Sequence, residues 1–343
     1  MVRKNSIFRQ IFQWILAGII ALFIMNIICF FYYSPFREIK REQGSNTGFL
    51  MPDERAVYAL EGYSFAKSDK RGYVNRDLPL EDTYYLVAGA SHTEGLFLPV
   101  KDRYSDVLNT MLGGDDTLKV YNIGRSGNFF SVVTQHFDGI LGEFPDARAI
   151  IIETDTLAYD TKAWRDSMIQ AGYDGTETLD SKIAAMSQRE RLVMDIKKYL
   201  PLVRVLHKQY LTKMDNTVED DGIRVTDAYY GEFDEDYRKA LDELMAFLRS
   251  KTDKQLIIIY HPAVSIEKDG SMKLLTNGCE DIFAGACEQN DIDFIDMSPY
   301  FEEGYENRHI VPYGFYNTTM GAGHTNKEAH RMMAEAIYEV LEK

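Results

Sequence analysis

Two residues of this 343-residue sequence have side chains suited to acyl-transfer chemistry. Ser91 follows a short apolar run, and His324 lies just before an amphipathic segment near the carboxyl end. A serine hydroxyl beside a neutral imidazole is the pair that forms acyl-enzyme intermediates. Both residues lie at predicted helix N-termini, where free backbone N–H groups and the helix dipole stabilise an oxyanion and disfavour an imidazolium. The two residue types therefore predict a nucleophile and its general base.

A purely structural explanation fits the same two segments. Ser91 with Glu94, and Thr325 with Glu328, have the spacing of a capping box, in which the first side chain caps a helix. The first segment is not a Gly-x-Ser-x-Gly nucleophile elbow, because Thr93 stands where the second glycine would be. Capping and catalysis are compatible, so both interpretations remain open.

Further polar and glycine residues follow other apolar runs. Gly124 and Gly127 stand in a loop where backbone N–H groups could approach a ligand, although an ordinary turn has the same composition. Asp155 and His261 follow the next two runs. These residues matter only if the fold brings the ends of the runs together.

Five apolar runs of strand length recur, each followed by Gly, Ser, Thr or Pro, and helix-like segments such as 104–111 and 237–249 separate them. This alternation predicts a doubly wound, flavodoxin-like parallel sheet of about five strands flanked by helices. In such sheets ligands bind at the carboxyl ends of the strands, where the residues above lie. The runs are 84–88, 118–122, 149–152, 255–260 and 292–296.

Two regions do not follow this alternation of strands and helices. Residues 159–235 are rich in charge and tyrosine and are predicted to be helical around 192–211, so we predict an insertion between the third and fourth strands that could act as a lid. Residues 37–80 are largely polar and irregular, which predicts a juxtamembrane stalk before an α/β domain at 81–343.

The amino-terminal residues predict a membrane span. Residues 10–36 carry no charge and are long enough to cross a bilayer as a helix, with aromatic residues at both ends. A buried core helix and a cleaved signal peptide are the alternatives. The apolar run ends in bulky aromatic residues rather than small ones, which favours an uncleaved anchor. Basic residues without acids precede the span, so we predict that 1–9 is cytoplasmic and that the carboxy-terminal domain is extracytoplasmic, on a single-pass protein of the cell membrane.

Composition excludes several classes of protein. A chain that is 45% hydrophobic and 27% charged is not disordered, and three cysteines do not make a disulfide scaffold. Cys279 and Cys287 are predicted to be buried thiols. The net charge of −15 argues against nucleic-acid binding. The sequence holds no zinc motif and no phosphate or dinucleotide loop, so neither a metal nor a cofactor is predicted.

The candidate residues occur in three blocks with a fixed order along the chain. The blocks are Ala88-Gly89-Ala90-Ser91 with Glu94-Gly95, Asn122-Ile123-Gly124-Arg125-Ser126-Gly127, and His324-Thr325-Asn326. Over roughly 84–343, apart from the insertion, this order resembles the SGNH (GDSL-type) hydrolases. The resemblance implies that Ser91 is the nucleophile and His324 its base. It also implies that the N–H groups of Ser91 and Gly127 form an oxyanion hole, together with a third position that Asp155 occupies here.

The chain departs from that family at three positions. Ala90 replaces an aspartate before the serine. Asp155 replaces an asparagine that donates to the oxyanion, so it must be protonated, turned away or used differently, because an ionised carboxylate would repel the oxyanion. Gly321 replaces the aspartate three residues before the histidine. His324 therefore needs another carboxylate, or a Ser–His dyad operates.

The sequence thus predicts a membrane-anchored serine esterase or O-acyltransferase. The resemblance implies ester-linked acyl groups, such as acetyl, of extracytoplasmic glycans as substrates and a multi-span membrane acyltransferase as a partner. Gly321 and Asp155 motivate the alternatives: a catalytically impaired domain that binds or presents a cell-surface polymer, or an accessory partner of such an acyltransferase. A small-molecule receptor is a further alternative, which requires a closed pocket without a Ser–His contact.

Overall fold

The computed structural model describes residues 2–39, 48–170, 172, 178–206 and 233–342. The strands in these ranges are β1 Tyr33–Ser34, β2 Glu38–Ile39, β3 Phe49–Leu50, β4 Arg55–Tyr58, β5 Ser64–Lys67, β6 Leu80–Ala88, β7 Leu118–Asn122, β8 Ala147–Thr154, β9 Gln255–Tyr260, β10 Ala263–Ile266, β11 Met272–Leu275 and β12 Asp293–Asp296.

Helices lie before β1, between β6, β7, β8 and β9, between β11 and β12, and after β12. They are α1 Val2–Tyr32, α2 Ser91–Glu94, α3 Tyr104–Met111, α4 Phe130–Gln135, α5 Phe137–Glu143, α6 Thr161–Ile169, α7 Leu179–Ala185, α8 Gln188–Tyr199, α9 Glu235–Lys251, α10 Glu280–Gln289, α11 Ser298–Arg308 and α12 Lys327–Leu341. A short 3₁₀ helix spans Val100–Asp102, and residues 201–206 are also helical.

A five-stranded sheet with the order β12-β9-β8-β6-β7 forms the centre of the domain, and every neighbouring pair in it is parallel. In chain order this is 2-1-3-4-5, the flavodoxin-like arrangement. The predicted fold class is therefore confirmed. All five predicted runs became strands of this sheet, and the carboxyl ends of these strands form one edge of it.

Side chains on alternate positions of the central strand β8 enter two separate cores. Ile150 and Ile152 pack with α9 and α10 on one face, whereas Ile151 packs with α3 and α12 on the other. Burial on both faces explains why the runs are almost continuously apolar. Cys279 and Cys287 are buried free thiols on the first of these faces.

The amino-terminal helix α1 stands apart from both cores. Its segment Ile7–Tyr32 is long and apolar enough to cross a membrane, and only 6% of its most apolar window is buried. A core helix is excluded, because its large apolar side chains are exposed. The chain passes from α1 directly into β1, which pairs with β4 of the domain.

The expectation of an irregular stalk over 37–80 is wrong for the part that the structure describes. Strands β4 and β5 form an antiparallel hairpin, and β2 pairs with β3. Their side chains share a small core with Leu96, which lies just after the Ser91 segment. These strands have two to four residues each, which is too short for a periodicity signal, so only pairing reveals them. Residues 40–47 lie outside the described residues.

The described part of the predicted insertion is helical. Helix α6 packs on α9 through the buried Trp164. Helices α7 and α8 lie against the segment that follows α1, where Leu179 shares a core with Ile39. Residues 207–232, with the end of the predicted 192–211 helix, lie outside the described residues.

Candidate active site

Ser91 is the first residue of α2, just past the carboxyl end of β6. The turn before it is tight. A Cβ on Gly89 would stand 2.5 Å from Glu153 Oε2, so only glycine fits there. The Ala90 N–H donates to the same Oε2 atom at 3.1 Å. These contacts fix the backbone of the turn between β6 and Ser91.

The Ser91 hydroxyl does not cap a helix, as the capping-box interpretation required. Residue 90 occupies the cap position of α2, with no side-chain bond. At the second box, Asn326 caps α12 instead of Thr325, accepting from the N–H groups of Glu328 and Ala329. Both capping interpretations are wrong, since the Ser91 and Thr325 hydroxyls make tertiary contacts with histidines instead.

His324 lies in the turn before α12, close to Ser91. Its Nε2 atom is 2.9 Å from Ser91 Oγ, so the structure brings together the two residues that the sequence singled out. The Phe97 ring lies over the imidazole with a centroid distance of 4.0 Å and an interplanar angle of 31°. This contact restricts the plane of the imidazole.

A carboxylate that the sequence analysis did not identify completes the chain of hydrogen bonds. Glu61, in the turn of the β4–β5 hairpin, places Oε2 2.6 Å from His324 Nδ1, and its Oε1 accepts the His324 backbone N–H at 2.7 Å. Burial by itself would raise the pKa of Glu61, but the bonds and charge attraction from His324 outweigh it and lower that pKa. An ionised Glu61 holds a proton on Nδ1 and leaves Nε2 free to accept one.

Gly323 makes this approach of the carboxylate possible. Its φ of +80° lies in the left-handed region that favours glycine, and a Cβ there would stand 2.2 Å from Glu61 Oε1. The glycine-rich approach to His324 was visible in the sequence, but its partner was not. Glu61 belongs to the range predicted as a stalk, some 260 residues earlier, and no local pattern connects the two.

Hydrogen bonds hold the hairpin turn that carries Glu61 to two other segments of the chain. The Gly62 N–H donates to Asn317 Oδ1 at 2.8 Å, and Asn317 Nδ2 donates to the Ala59 and Gly62 carbonyls at 3.1 Å each. The Ser64 hydroxyl donates to the Leu96 carbonyl. The turn is therefore bound both to the His324 loop and to the segment after Ser91.

A buried carboxylate–histidine pair supports the site from below. Glu153, at the end of β8, accepts from the Thr93 hydroxyl at 2.7 Å in addition to the Ala90 N–H, and its Oε1 lies 2.9 Å from His261 Nε2. His261 in turn contacts the Tyr313 hydroxyl at 2.6 Å. Burial opposes ionisation of Glu153, but the bonds from His261, Thr93 and Ala90 lower its pKa, so it is a charged anchor for the serine turn.

His92, next to the serine, is buried and neutral. Burial, with the nearby His261, His324 and His330 rings, lowers the pKa of His92 well below its usual value. Its Nδ1 atom accepts the Thr325 N–H at 3.2 Å, which assigns the proton to Nε2. His92 therefore helps to fix the loop that carries His324.

Asp155 lies at the edge of this site. The His92 Nε2 atom is 3.8 Å from Asp155 Oδ2, beyond hydrogen-bond distance. Burial, and then the negative charge of Glu153, raise the pKa of Asp155. Protonation of this carboxyl is therefore easier than in a free aspartate, and the protonated form is the one compatible with a nearby oxyanion.

Gly127 lies in the loop that follows β7, with φ at +85°. Glu94 of α2 holds this loop, since its Oε2 accepts the Ser126 N–H at 2.9 Å and its Oε1 lies 3.2 Å from Arg125 Nη1. Among the described residues, no hydrogen-bond acceptor is found for the N–H groups of Ser91 and Gly127. These two amides are therefore available to a ligand.

No group of three or more His, Cys, Asp or Glu side chains suited to a metal ion occurs in the described ranges. The site is a Ser–His–Glu chain of hydrogen bonds at the carboxyl edge of a parallel α/β sheet, the arrangement by which serine hydrolases activate their nucleophile.

Scans against protein-family models and curated proteins found no match. Among solved structures, the chain is similar to a member of the lipolytic protein G-D-S-L family from Veillonella parvula, at 14% identity and a TM-score of 0.38, covering 76% of this chain and 99% of that one. It is also similar to the acetyl xylan esterase AlAXEase, at 12% identity and a TM-score of 0.39, covering 75% of this chain and 99% of that one.

A third similar structure is the psychrotrophic esterase EstA from Pseudoalteromonas sp., at 12% identity and a TM-score of 0.35, covering 77% of this chain and 100% of that one. The Veillonella protein belongs to the family that the sequence motifs resemble. At these identities and TM-scores, the chemistry of the present site rests on its own contacts.

Proposed function

We propose that the chain is a membrane-anchored serine esterase or O-acyltransferase. The observation that carries the proposal is the chain of contacts from Glu61 through His324 to Ser91, at 2.6 and 2.9 Å. A dyad without an orienting acid was one expectation from the sequence, and a second carboxylate was the other. The position of Glu61 supports the second.

The geometry supports a two-step mechanism. The Ser91 Oγ attacks the acyl carbonyl while His324 Nε2 takes the hydroxyl proton, and Glu61 stabilises the resulting imidazolium through Nδ1–H. The Ser91 and Gly127 N–H groups hold the oxyanion of the tetrahedral intermediate. His324 then returns the proton to the departing alcohol, which leaves an acyl group on Ser91. Water or an acceptor alcohol then attacks the acyl carbonyl as His324 Nε2 takes its proton, and the second tetrahedral intermediate collapses to release the acyl group as His324 returns that proton to Ser91 Oγ.

The substrate class that we propose is an acyl ester, such as an acetyl ester, on a glycan outside the cell membrane. Two considerations support it. Helix α1 is long and apolar enough to hold the domain at a bilayer, and the motif resemblance implies esters of glycans. A multi-span acyltransferase as partner follows from the same resemblance and is part of this proposal.

Asp155 favours a second candidate function, a catalytically impaired domain that binds a polymer. Its carboxyl replaces the amide that would donate to the oxyanion, and an ionised carboxyl would repel that oxyanion. The contacts from Glu61 through His324 to Ser91 are those of an activated nucleophile, so we rank this candidate below the enzyme.

A fluorophosphonate probe tests the proposal on the full chain in detergent micelles. We expect wild type to be labelled and Ser91→Ala to be unlabelled. Ser250→Ala, at an exposed serine of α9, is the matched control and should label as wild type does. Release of acetate from an acetylated polysaccharide, with and without an added alcohol acceptor, then separates hydrolysis from transfer. Wild type without labelling would refute the enzyme and leave the polymer-binding candidate.

A further inference from the structure

Helix α8 and the helical residues 201–206 present an apolar stripe to the outside of the protein. Seven large apolar side chains recur at helical spacing along it, each between 43 and 70% exposed. In a soluble protein, the apolar side of such a helix faces the core. Here it faces away from the protein. The exposed apolar stripe consists of Leu192, Val193, Ile196, Tyr199, Leu200, Val203 and Leu206.

The polar side of the same helices is bound to the protein, which fixes the direction of the stripe. Asp195 pairs with Arg37 at 2.5 Å, and Lys198 pairs with the buried Glu54 at 2.8 Å. Arg204 Nη1 donates to the Pro35 carbonyl at 3.0 Å. All three partners belong to the segment that follows α1. The stripe is therefore held facing outwards beside the point where the chain leaves the predicted span.

Asn26, a polar residue within the apolar part of α1, contacts the backbone where α8 ends and the helical residues 201–206 begin. Asn26 Nδ2 donates to the Tyr199 carbonyl at 3.1 Å, and Asn26 Oδ1 accepts the Leu202 N–H at 3.1 Å. Helix α8 ends at Tyr199, so these two backbone groups lie at the break in the helix. Backbone groups within a bilayer must find partners in the protein, because no water is present there. Asn26 supplies both partners.

The position of Asn26 gives the depth of the contact. It lies six residues before the end of α1 at Tyr32, which is about 9 Å along the helix axis. With α1 across a bilayer whose hydrocarbon core is about 30 Å thick, this level is near the boundary between headgroups and acyl chains. Amphipathic helices that bind membranes lie at that boundary.

We propose that the exposed apolar stripe lies in the outer leaflet of the membrane and forms a second lipid contact beside α1. The inference rests on the membrane anchoring proposed above. The occupant is lipid because the stripe is apolar and its middle, at Tyr199 and Leu202, contacts α1 at Asn26, near the boundary between headgroups and acyl chains. Two attachments would hold the Ser91 site at a fixed height and orientation over the bilayer surface.

Site-directed spin labelling of the purified full chain in phospholipid vesicles tests this inference. A nitroxide is attached at Ile196→Cys in the stripe and, as matched control, at Ile169→Cys, whose isoleucine is 80% exposed on α6. A third label at Ile20→Cys reports on the span. Wild type, whose three cysteines are buried, gives the labelling background. Circular dichroism verifies that each variant is folded.

Collisions with oxygen, which concentrates in acyl chains, are compared with collisions with a water-soluble nickel chelate. We expect the oxygen-to-nickel ratio at position 196 to exceed that at 169 by at least threefold and to approach that at position 20. A water-exposed label at 196 with a lipid-exposed label at 20 would overturn the inference and leave the anchor intact. A label at 196 shielded from both reagents would mean that protein covers the stripe, which also overturns it. Water exposure at both 196 and 20 would refute the anchor itself.

Discussion

Replacing Glu61 with glutamine tests the hydrogen-bond chain at the atom that orients the base. The carboxylate accepts twice, from His324 Nδ1 and from the His324 backbone N–H. Glutamine has one acceptor oxygen and one NH₂ group, so it cannot satisfy both donors. If its oxygen takes the backbone N–H, its NH₂ faces Nδ1 and favours a proton on Nε2, which then cannot accept the Ser91 proton. If the group flips, two donors face each other.

The expected loss in kcat for Glu61→Gln is about 10³-fold, or about 4 kcal/mol at about 1.4 kcal/mol per tenfold. Two features should keep this loss of kcat smaller than the roughly 10⁴-fold loss that a wrong histidine tautomer can cause. The Glu61 side chain is 15% exposed, so water reaches the turn. Phe97 still restricts the imidazole plane. KM should change little, because Glu61 does not contact the scissile ester in the proposed mechanism.

Hydrolysis of p-nitrophenyl acetate by the full chain in detergent micelles measures this effect. Glu303→Gln, the same change at an exposed residue of α11, is the control. A positioning role also predicts that the acid limb of kcat/KM moves to lower pH in Glu61→Gln, since the protonated ring loses its counter-charge. If Glu61→Gln keeps kcat within threefold of wild type, with an unchanged pH profile, Glu61 does not orient the base.

Two further predictions concern the surroundings of this chain. Gly323→Ala should lower kcat by at least tenfold and the free energy of unfolding by about 1–2 kcal/mol, because its Cβ would displace Glu61. The control is Gly270→Ala, which is also at positive φ but has nothing within 4 Å of its Cβ position and should keep kcat. An equal loss of kcat in Gly270→Ala would contradict the role of the Glu61 contact. Asp155→Asn should gain stability relative to wild type as pH rises from about 3 to 7. Because the pKa of Asp155 is raised in the folded protein, its stabilising contribution to folding is complete below the ordinary pKa of 3.8 and is lost as pH rises through its pKa in the folded protein. Urea unfolding at several pH values measures this, and a difference that shrinks with rising pH would refute it.

The central sheet could be predicted because each of its strands has a recognisable pattern in a few consecutive residues. A strand buried on both faces, such as β9, is apolar over its buried residues 256–260, so the run is visible in the sequence. The order of Ser91, Gly127 and His324 relative to the strands could be predicted for the same reason. Parallel topology places all strand ends at one edge.

Tertiary structure alone decided the contact of Glu61 with His324 and the short strands between α1 and the central sheet. Strands of two to four residues carry no periodicity, and their stability comes from pairing and from a shared core with Leu96. Glu61 reaches His324 only because this hairpin folds onto the sheet edge and because Gly323 leaves room for the carboxylate. The sequence by itself determined which sheet forms and which serine and histidine lie at its edge. The partner of the base depended on a contact between distant segments, because hydrogen-bond geometry is a property of positions in space and not of spacing along the chain.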